Sequence, residues 1–411
     1  MSAKPSSSLL PTRSRRAAFV VVGNPGCRRV ALFQEALTRC RFPPAVLVPY
    51  ADLIAGRATL EQVVRPGTVV RLESPGRDFE VERTLLVTGA DEADAVGPTR
   101  INRHAAAKLG FDKGRIWYPR QWYLGFRATL RRLDEQLSRC PPHVRMNWPP
   151  DIEVLFDKNR CQELFARQGI AVPRGLGPVH SFDQLHERMR QTGCRRVFVK
   201  LAHGSSASGV IAYQTNGARQ QALTSVEMVR RQGELRLYNS RRIRRYHKSE
   251  EIVELIDGLA REGVRVEAWM PKAGIADHVF DLRIVVIAGQ ARHVVVRMSR
   301  SPMTNLHLLN RRGDLSILLS RMGSEAWQAA RRTCEKAAAV FPRSLHLGVD
   351  LLVAPGYQRH AVLEGNAFGD LLPDVLSEGR DTYEAEIRAV IANKWPFVPV
   401  SRQQPCSMLT T

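Results

Sequence analysis

Three oxygen-bearing side chains near the C-terminal end of the sequence have the types and spacing of a metal site. Glu364 and Asn366 are two residues apart in a segment with the pattern of a β-strand, so both side chains point to one face. Asp350 ends an earlier apolar stretch, which we expect to form the neighbouring strand. Because Mg²⁺ is bound by a few side-chain oxygens together with phosphate oxygens, the trio predicts a magnesium site.

A loop of small residues earlier in the chain could receive phosphate groups. It runs from residue 203 to 209, between two apolar segments predicted to form a hairpin, and it follows Lys200. Small residues let backbone N–H groups approach phosphate oxygens, while serine hydroxyls and a lysine ammonium add donors. Lys158, at the start of the preceding predicted helix, supplies a second compact charge. The loop residues that could contact phosphate are Gly204, Ser205, Ser206, Ser208 and Gly209.

The elements before residue 150 alternate between strands and helices. Apolar strands are predicted at 19–22, 45–48 and 68–72, and a helix is predicted over 30–40. This rhythm is typical of a parallel sheet, so we predict an α/β N-terminal domain over residues 17–150, with a helical insertion. The glycine turn at 23–26 could bind phosphate or could serve only as a tight turn.

Two proline pairs, at 141–142 and 149–150, predict a linker, and the chain after it has the patterns of antiparallel sheets. A hairpin is predicted from 280–287 and 291–298, and a last strand pair from 347–353 and 360–363. We therefore predict a two-lobed α+β core. Its lobes span 151–270 and 271–400, with a disordered start at 1–16 and a tail at 401–411.

Composition limits the class of protein. No apolar run reaches the roughly 18 to 20 residues of a membrane-spanning helix. Seven scattered cysteines without a Cys-x-x-Cys pair indicate a reducing cytoplasm rather than a disulfide scaffold or a zinc site. The net charge of +21 has two interpretations: a genome that favours arginine codons, or an anionic partner. The basic run at 241–248 is either a solvated surface or a binding segment for an acidic peptide or nucleic acid.

Taken in order, these motifs resemble the ATP-grasp superfamily, in the style of its ribosomal-protein glutamate ligase and glutathione synthetase branch. The resemblance covers roughly residues 151–393. It implies an ATP-dependent ligase that joins a carboxylate to an amine or thiol through an acyl phosphate, with ATP and Mg²⁺ as cofactors. The matching segments are Asp157-Lys158, 169–173, 197–200, 203–210, 266–271, Asp281-Leu282-Arg283, 348–350 and 363–366.

The resemblance also implies a role for each matching residue. Lys158 and Lys200 would contact the ATP phosphates, Lys200 could also approach the adenine, and the loop from Gly204 to Gly209 would close over the phosphates. Glu267 would accept a hydrogen bond from the adenine amino group. The other implied groups are the main chain of Ala268, Trp269 and Met270 beside the adenine, Asp281 near the ribose, the phosphates or the acceptor, Arg283, Arg297 and Asn305 in catalysis, and Asp350, Glu364 and Asn366 at the metal.

The acceptor side of the sequence departs from the family pattern. Leu201 follows Lys200 where proline is frequent, and residues 308–311 replace the usual glycines. The substrates therefore stay open: a small-molecule or peptide carboxylate, an amine or thiol acceptor, and an acidic peptide or protein as a further partner. Two other functions also stay open, a non-catalytic ATP-binding or adaptor module and a basic nucleic-acid-binding protein.

Overall fold

The structure is a computed structural model that describes residues 18–93, 99–205 and 207–392. Four of the predictions fall outside these ranges. They concern the start at 1–16, the tail at 401–411, Ser206 as a phosphate contact, and Asn393, the last residue of a helix that the sequence pattern predicts over 381–393. Within the described ranges, no helix is both long and apolar enough to cross a membrane.

The first part of the chain forms a parallel sheet, as the sequence predicts. Both faces of its strands are covered by helices or by the rest of the molecule, which explains their continuous apolar runs. The strand order is β2-β1-β3-β4, and all neighbours run parallel. The elements are β1 (Phe19–Gly23), α1 (Arg28–Arg39), β2 (Val46–Pro49), α2 (Tyr50–Ile54), β3 (Val69–Leu72), α3 (Phe79–Thr88), α4 (Ala90–Ala93), α5 (Arg103–Ala107), α6 (Pro119–Arg139), β4 (Val144–Arg145) and α7 (Pro149–Leu155).

Two details of this part differ from the sequence prediction. The basic, amphipathic pattern over 127–139 predicts a helix there, but helix α6 already begins at Pro119. A proline is well suited to the first helical position. The prediction of a linker at Pro149 and Pro150 is wrong, because these prolines form the first turn of α7. A proline pair can thus start a helix as readily as it can end one.

The middle of the chain forms an antiparallel five-stranded sheet with the order β8-β7-β6-β5-β9. Helices α9 and α10 pack against this sheet through a core that includes Leu185, Ile252 and Ile256. The predicted hairpin around the small-residue loop is the pair β5 and β6. The elements are α8 (Lys158–Arg167), α9 (Phe182–Thr192), β5 (Arg196–Leu201), β6 (Val210–Thr215), β7 (Gln220–Arg231), β8 (Glu234–Tyr246), α10 (Ser249–Ala260) and β9 (Val264–Ala268).

The last part forms a six-stranded antiparallel sheet with the order β13-β12-β11-β14-β15, while β10 pairs with β11. The predicted α+β architecture is confirmed. The sequence pattern predicts a helix over 324–340, whereas α11 begins at Leu315. The predicted part is the second of two helical segments, which meet at a kink where Gly323 has φ 75°. The elements are β10 (Gly274–Ile275), β11 (His278–Ile287), β12 (Gln290–Ser299), β13 (Arg311–Gly313), α11 (Leu315–Ala339), β14 (His346–Val353), β15 (His360–Asn366) and α12 (Thr382–Ile391).

Candidate functional site

A cavity of about 670 Å³ lies where the three sheets meet, and it collects most of the predicted site residues. Gly209 and Trp269 do not line it, and Ser206 lies outside the described residues. The predicted residues that line it are Lys158, Lys200, Gly204, Ser205, Ser208, Glu267, Ala268, Met270, Asp281, Arg283, Arg297, Asn305, Asp350, Glu364 and Asn366.

The oxygen-bearing trio is brought together by the pairing of β14 with β15. Asp350 lies opposite Glu364 in the antiparallel register, and Gly348 lies opposite Asn366. All three side chains line the cavity. Two carboxylates and an amide oxygen on one surface form a donor set that suits Mg²⁺ beside phosphate.

Protein cations hold the two carboxylates of the trio. Asp350 accepts hydrogen bonds from Arg283 Nε and, at 3.1 Å, from Arg297 Nη2. Burial alone would raise the pKa of Asp350, but the two guanidinium groups lower it, so the side chain stays a carboxylate. Lys158 Nζ lies 3.0 Å from Glu364 Oε1.

A second buried carboxylate, Asp281, organises the catalytic residues that the resemblance implies. Its Oδ1 is 2.7 Å from Arg297 Nε, and its Oδ2 is 2.9 Å from Lys272 Nζ and also accepts from Thr304. Burial would raise the pKa of Asp281, but Arg297 and Lys272 lower it. Lys272 was missed by the sequence analysis. Its signal was available, because it follows Pro271 directly at the end of a matching segment.

The adenine end predicted from the resemblance lies along β5 and β9. Glu267 is only 1% exposed and accepts from Lys200 and, at 3.3 Å, from Arg265 Nε. Trp269 turns away from the cavity, since its ring packs 5.3 Å from that of Phe198 and 4.1 Å from the Arg196 guanidinium carbon. Phe198 takes a place on the cavity wall instead.

The small-residue loop is attached to its surroundings at both ends. Lys158 Nζ donates to the carbonyl of Gly204, and Ser225 Oγ donates to the carbonyl of Ala207 at 2.6 Å. Gly209 closes the loop with φ +63°, and a Cβ there would lie 2.3 Å from a Leu201 side-chain carbon. Gly209 therefore shapes the loop without reaching the cavity.

His203, at the start of the small-residue loop, is placed by the sequence where it could touch phosphate, but its side chain does not line the cavity. Its ring stacks on Tyr123 of α6 with the ring centroids 4.0 Å apart. Burial lowers the pKa of His203 to about 4, so the imidazole is neutral at physiological pH. The loop thus presents backbone groups, serines and neighbouring lysines to the cavity rather than this histidine.

The parallel-sheet region supplies the wall that the sequence analysis missed. The turn after β1 contributes Gly26, the start of α1 contributes Arg28 and Arg29, and the segment before α3 contributes Arg77. His307, which follows β12, also lines the cavity. The glycine turn was weighed as a phosphate site, but the arginines around it carried no local motif.

A group of charges behind the cavity is closed to solvent. Arg71, Glu73, Asp370 and Glu386 form what we call the sealed cluster, because all four side chains are 0% exposed. Arg71 Nε is 2.6 Å from Glu73 Oε1, and the other two guanidinium nitrogens donate to Asp370 and Glu386. The cluster therefore ties strand β3 to the segment that follows Asn366 and to helix α12.

Comparison with known proteins supports the assignment of the fold. No family model matches the sequence. The chain is 28% identical over 201 residues to a probable alpha-L-glutamate ligase 1 of Pseudoalteromonas atlantica, which is 48% of this chain and 50% of the relative. A probable alpha-L-glutamate ligase of a Marinomonas species is 26% identical over 201 residues, with the same coverage. The crystal structure of D-cycloserine synthetase DcsG superposes with a TM-score of 0.52 at 13% identity, covering 92% of this chain and 100% of that one.

These findings agree with the resemblance to the ATP-grasp superfamily: the chain shares the fold of D-cycloserine synthetase DcsG, and its two antiparallel sheets border the cavity. More particularly, the similar proteins with curated names are glutamate ligases. The chain spans about half the length of the curated relatives it matches.

Proposed function

We propose that this protein is an ATP-dependent ligase that joins a carboxylate to an amine or thiol and releases ADP and phosphate. One observation carries the proposal. Lys158 and Lys200, which are remote along the chain from Asp350, Glu364 and Asn366, line the same cavity as that trio. Two ammonium groups and three oxygen ligands around one space are the arrangement that a bound Mg-ATP requires.

In this proposal ATP lies with its adenine between β5 and β9, near Phe198, Glu267 and Met270. Its phosphates extend toward Lys158 and the small-residue loop. Positive charge and backbone N–H groups then surround the triphosphate, while Glu267 offers an acceptor at the adenine end.

Asp350, Glu364 and Asn366 would hold Mg²⁺. The fit follows from their chemistry, since Asp350 is kept anionic by Arg283 and Arg297 and all three present oxygens to the cavity. When bound, the metal neutralises phosphate charge. Lys158 pairs with Glu364, so this lysine is positioned within reach of both the metal ligands and the phosphates.

The transferred phosphoryl group would meet the substrate carboxylate beside Arg283 and Arg297. Both reactants are anionic, so most of the catalysis must come from positioning and from stabilising negative charge. Asp281 fixes the guanidinium of Arg297, and Asn305 stands on the same wall. The loop over the cavity would keep water from the acyl phosphate until the nucleophile arrives.

We also propose that the chain divides functionally as its sequence suggests. Residues 17–150 would form a domain that supplies one wall of the substrate site, 151–270 a central lobe for the nucleotide, and 271–400 a lobe for the metal. The glutamate ligase relatives support an amino-acid or peptide substrate.

The test is ADP release measured with a library of carboxylates and amines that includes peptides. Asp350→Ala, or Glu364→Ala combined with Asn366→Ala, should abolish Mg²⁺-dependent turnover, while the double variant keeps its circular dichroism spectrum and melting temperature. Glu163→Ala, at an exposed carboxylate on α8, is the matched control and should turn over normally. Wild-type turnover in the folded double variant contradicts the proposal. Nucleotide binding without ADP release for any substrate pair would instead identify a non-catalytic binding module.

A further inference from the structure

The part of the cavity wall built by the parallel-sheet region and the turn after β12, which we call its second end, includes three basic side chains from different parts of the chain. Arg28 comes from the start of α1, Arg77 from the segment before α3, and His307 from the turn after β12. The following inference rests on the proposed ligase function. It concerns which substrates can fill this end.

These arginines differ from the other cations of the cavity. Lys158, Lys200, Lys272, Arg283 and Arg297 are each held by a carboxylate within ion-pair distance. In the described part of the chain, Arg28 and Arg77 have no such carboxylate. Both side chains belong to exposed residues.

Nearby carboxylates are engaged by the backbone instead. Asp78 caps helix α3 by accepting from the Val81 backbone N at 3.2 Å. Glu82 accepts from the backbone N of Arg77 at 2.9 Å, which leaves the Arg77 guanidinium group unpaired. The guanidinium groups at this end are therefore available to a ligand.

Further basic residues surround His307. Strand β8, which carries Arg241, lies against the turn Leu306–Leu308. Partial burial lowers the pKa of His307, and Arg77, Arg283, Arg241 and Arg297 lower it further. The arginines near His307 create a positive potential there, and such a potential attracts an anion.

We propose that this end of the cavity binds an anionic group, a carboxylate or a phosphate, that the substrate carries in addition to the groups that react. The reacting carboxylate must lie at the other side, beside Arg297 and the trio, to meet the γ-phosphate. Arg28 and Arg77 would then hold the second anion through charge-assisted hydrogen bonds, for which a guanidinium fork is well suited. The substrate class is thus a doubly anionic acid or an anionic amine.

Chemical footprinting tests the site without any turnover. The full chain is treated with phenylglyoxal, and modification of each arginine is followed by mass spectrometry in the presence of succinate, inorganic phosphate or neutral succinamide. Succinate or phosphate should slow the modification of Arg28 and Arg77 several-fold, while succinamide should not. Arg167, exposed on α8 outside the cavity, is the internal control and should react at one rate throughout. The stronger of the two anions identifies the group as carboxylate or phosphate.

Equal reactivity of Arg28 and Arg77 with all three probes overturns the inference, whatever the outcome of the ADP assay. Where turnover is found, Arg28→Gln and Arg77→Gln should raise the KM for the anionic substrate about tenfold or more, because a hydrogen bond to a charged group is lost. The KM for ATP should not change, and Arg167→Gln should leave both constants as in the wild type. A matching rise in the KM for ATP would show a general effect on the cavity and would contradict the assignment.

Discussion

The sealed cluster and the cavity pair of Lys158 with Glu364 place charged side chains in different surroundings. In the sealed cluster, Arg71 is enclosed between the rings of Phe33 and Tyr383, at 4.8 and 5.0 Å from their centroids, and its partners are also 0% exposed. In the cavity, Lys158 and Glu364 keep 13% and 29% of their side-chain surface exposed. The first set can interact only with protein, whereas the second can exchange its partners for a ligand.

This difference separates two tasks that charged residues perform in the fold. The sealed cluster joins β3 to the segment after Asn366, so it fixes the parallel sheet against the strands of the metal trio. The pair of Lys158 with Glu364 holds partly exposed side chains that a ligand can reach, and we expect it to add little to the free energy of unfolding. Removing a charge should therefore affect stability in one place and activity in the other.

The largest effect is expected from Arg71→Met. Three buried carboxylates would lose their shared partner, and breaking such a buried group costs about 3–5 kcal/mol of unfolding free energy. Urea unfolding at neutral pH measures the loss. The matched control is Arg39→Met, which removes a pair with Asp381 that is 45% exposed on the arginine side and should cost less than about 1 kcal/mol. Equal losses in the two variants would remove the basis of the comparison.

Lys158→Met should produce the reverse pattern. Loss of an ammonium group beside the phosphates should lower ADP release by about 10²-fold, as removal of one charge-stabilising donor commonly does. Its pair with Glu364 is partly exposed, so unfolding free energy should change by about 1 kcal/mol or less. Lys336→Met, at an exposed lysine of α11, should change neither quantity. A stability loss as large as that of Arg71→Met would show that the cavity pairs are structural too.

Glu262 belongs to neither group, and its replacement measures the free-energy cost of ionising a buried carboxylate that Arg120 stabilises only in part. Burial raises the pKa of Glu262 from 4.5 to about 7, although Arg120 lowers it in part. Between about pH 4.5 and 7 the folded state therefore binds more protons than the unfolded state does. The free energy of unfolding consequently falls as the pH rises through this range. Glu262→Gln should be more stable than the wild type at pH 8, by about 1–3 kcal/mol, and not at pH 4.5. Urea unfolding at both pH values checks the sign, and a gain at the lower pH alone contradicts it.

The smallest effect is expected from Glu386→Gln. Burial, Asp370 and Glu73 raise the pKa of Glu386 against the influence of Arg71, so a negative charge on this side chain stabilises the fold less than one on Asp370 does. An amide of the same shape should then change the unfolding free energy by less than about 1 kcal/mol. Asp370→Asn should cost several kcal/mol, because Arg71 and Arg29 lower the pKa of Asp370 and keep it charged. Equal costs in urea unfolding would contradict this difference between the two carboxylates.

The sequence predicted the parts of the site that depend on local patterns. The two-residue spacing of Glu364 and Asn366, and the apolar run that precedes Asp350, place all three on neighbouring strands without any knowledge of distant contacts. The small-residue loop between two apolar strands was equally local. The side chain of Trp269, just after the end of β9 at Ala268, does not line the cavity, and the prediction that main-chain groups at 268–270 lie beside an adenine stays a prediction.

The sealed cluster could not be predicted from the sequence. Arg71 stands in an apolar strand, and its partners Asp370 and Glu386 are 299 and 315 residues away. Only the presence of a charge inside a buried strand hinted at a partner, and nothing local identified it. The same holds for Arg28 and Arg77, because nothing local in the sequence shows that they line one cavity with His307.

One ammonium group connects the opposing walls of the cavity. Lys158 donates to Gly204 on the side of the five-stranded sheet and pairs with Glu364 on the side of the six-stranded sheet. The two walls can separate only if one of these contacts breaks, and an ion bound to the oxygens of Glu364 would weaken one of them. Binding of an ion at Glu364 would thereby be coupled to the movement of the small-residue loop at Gly204.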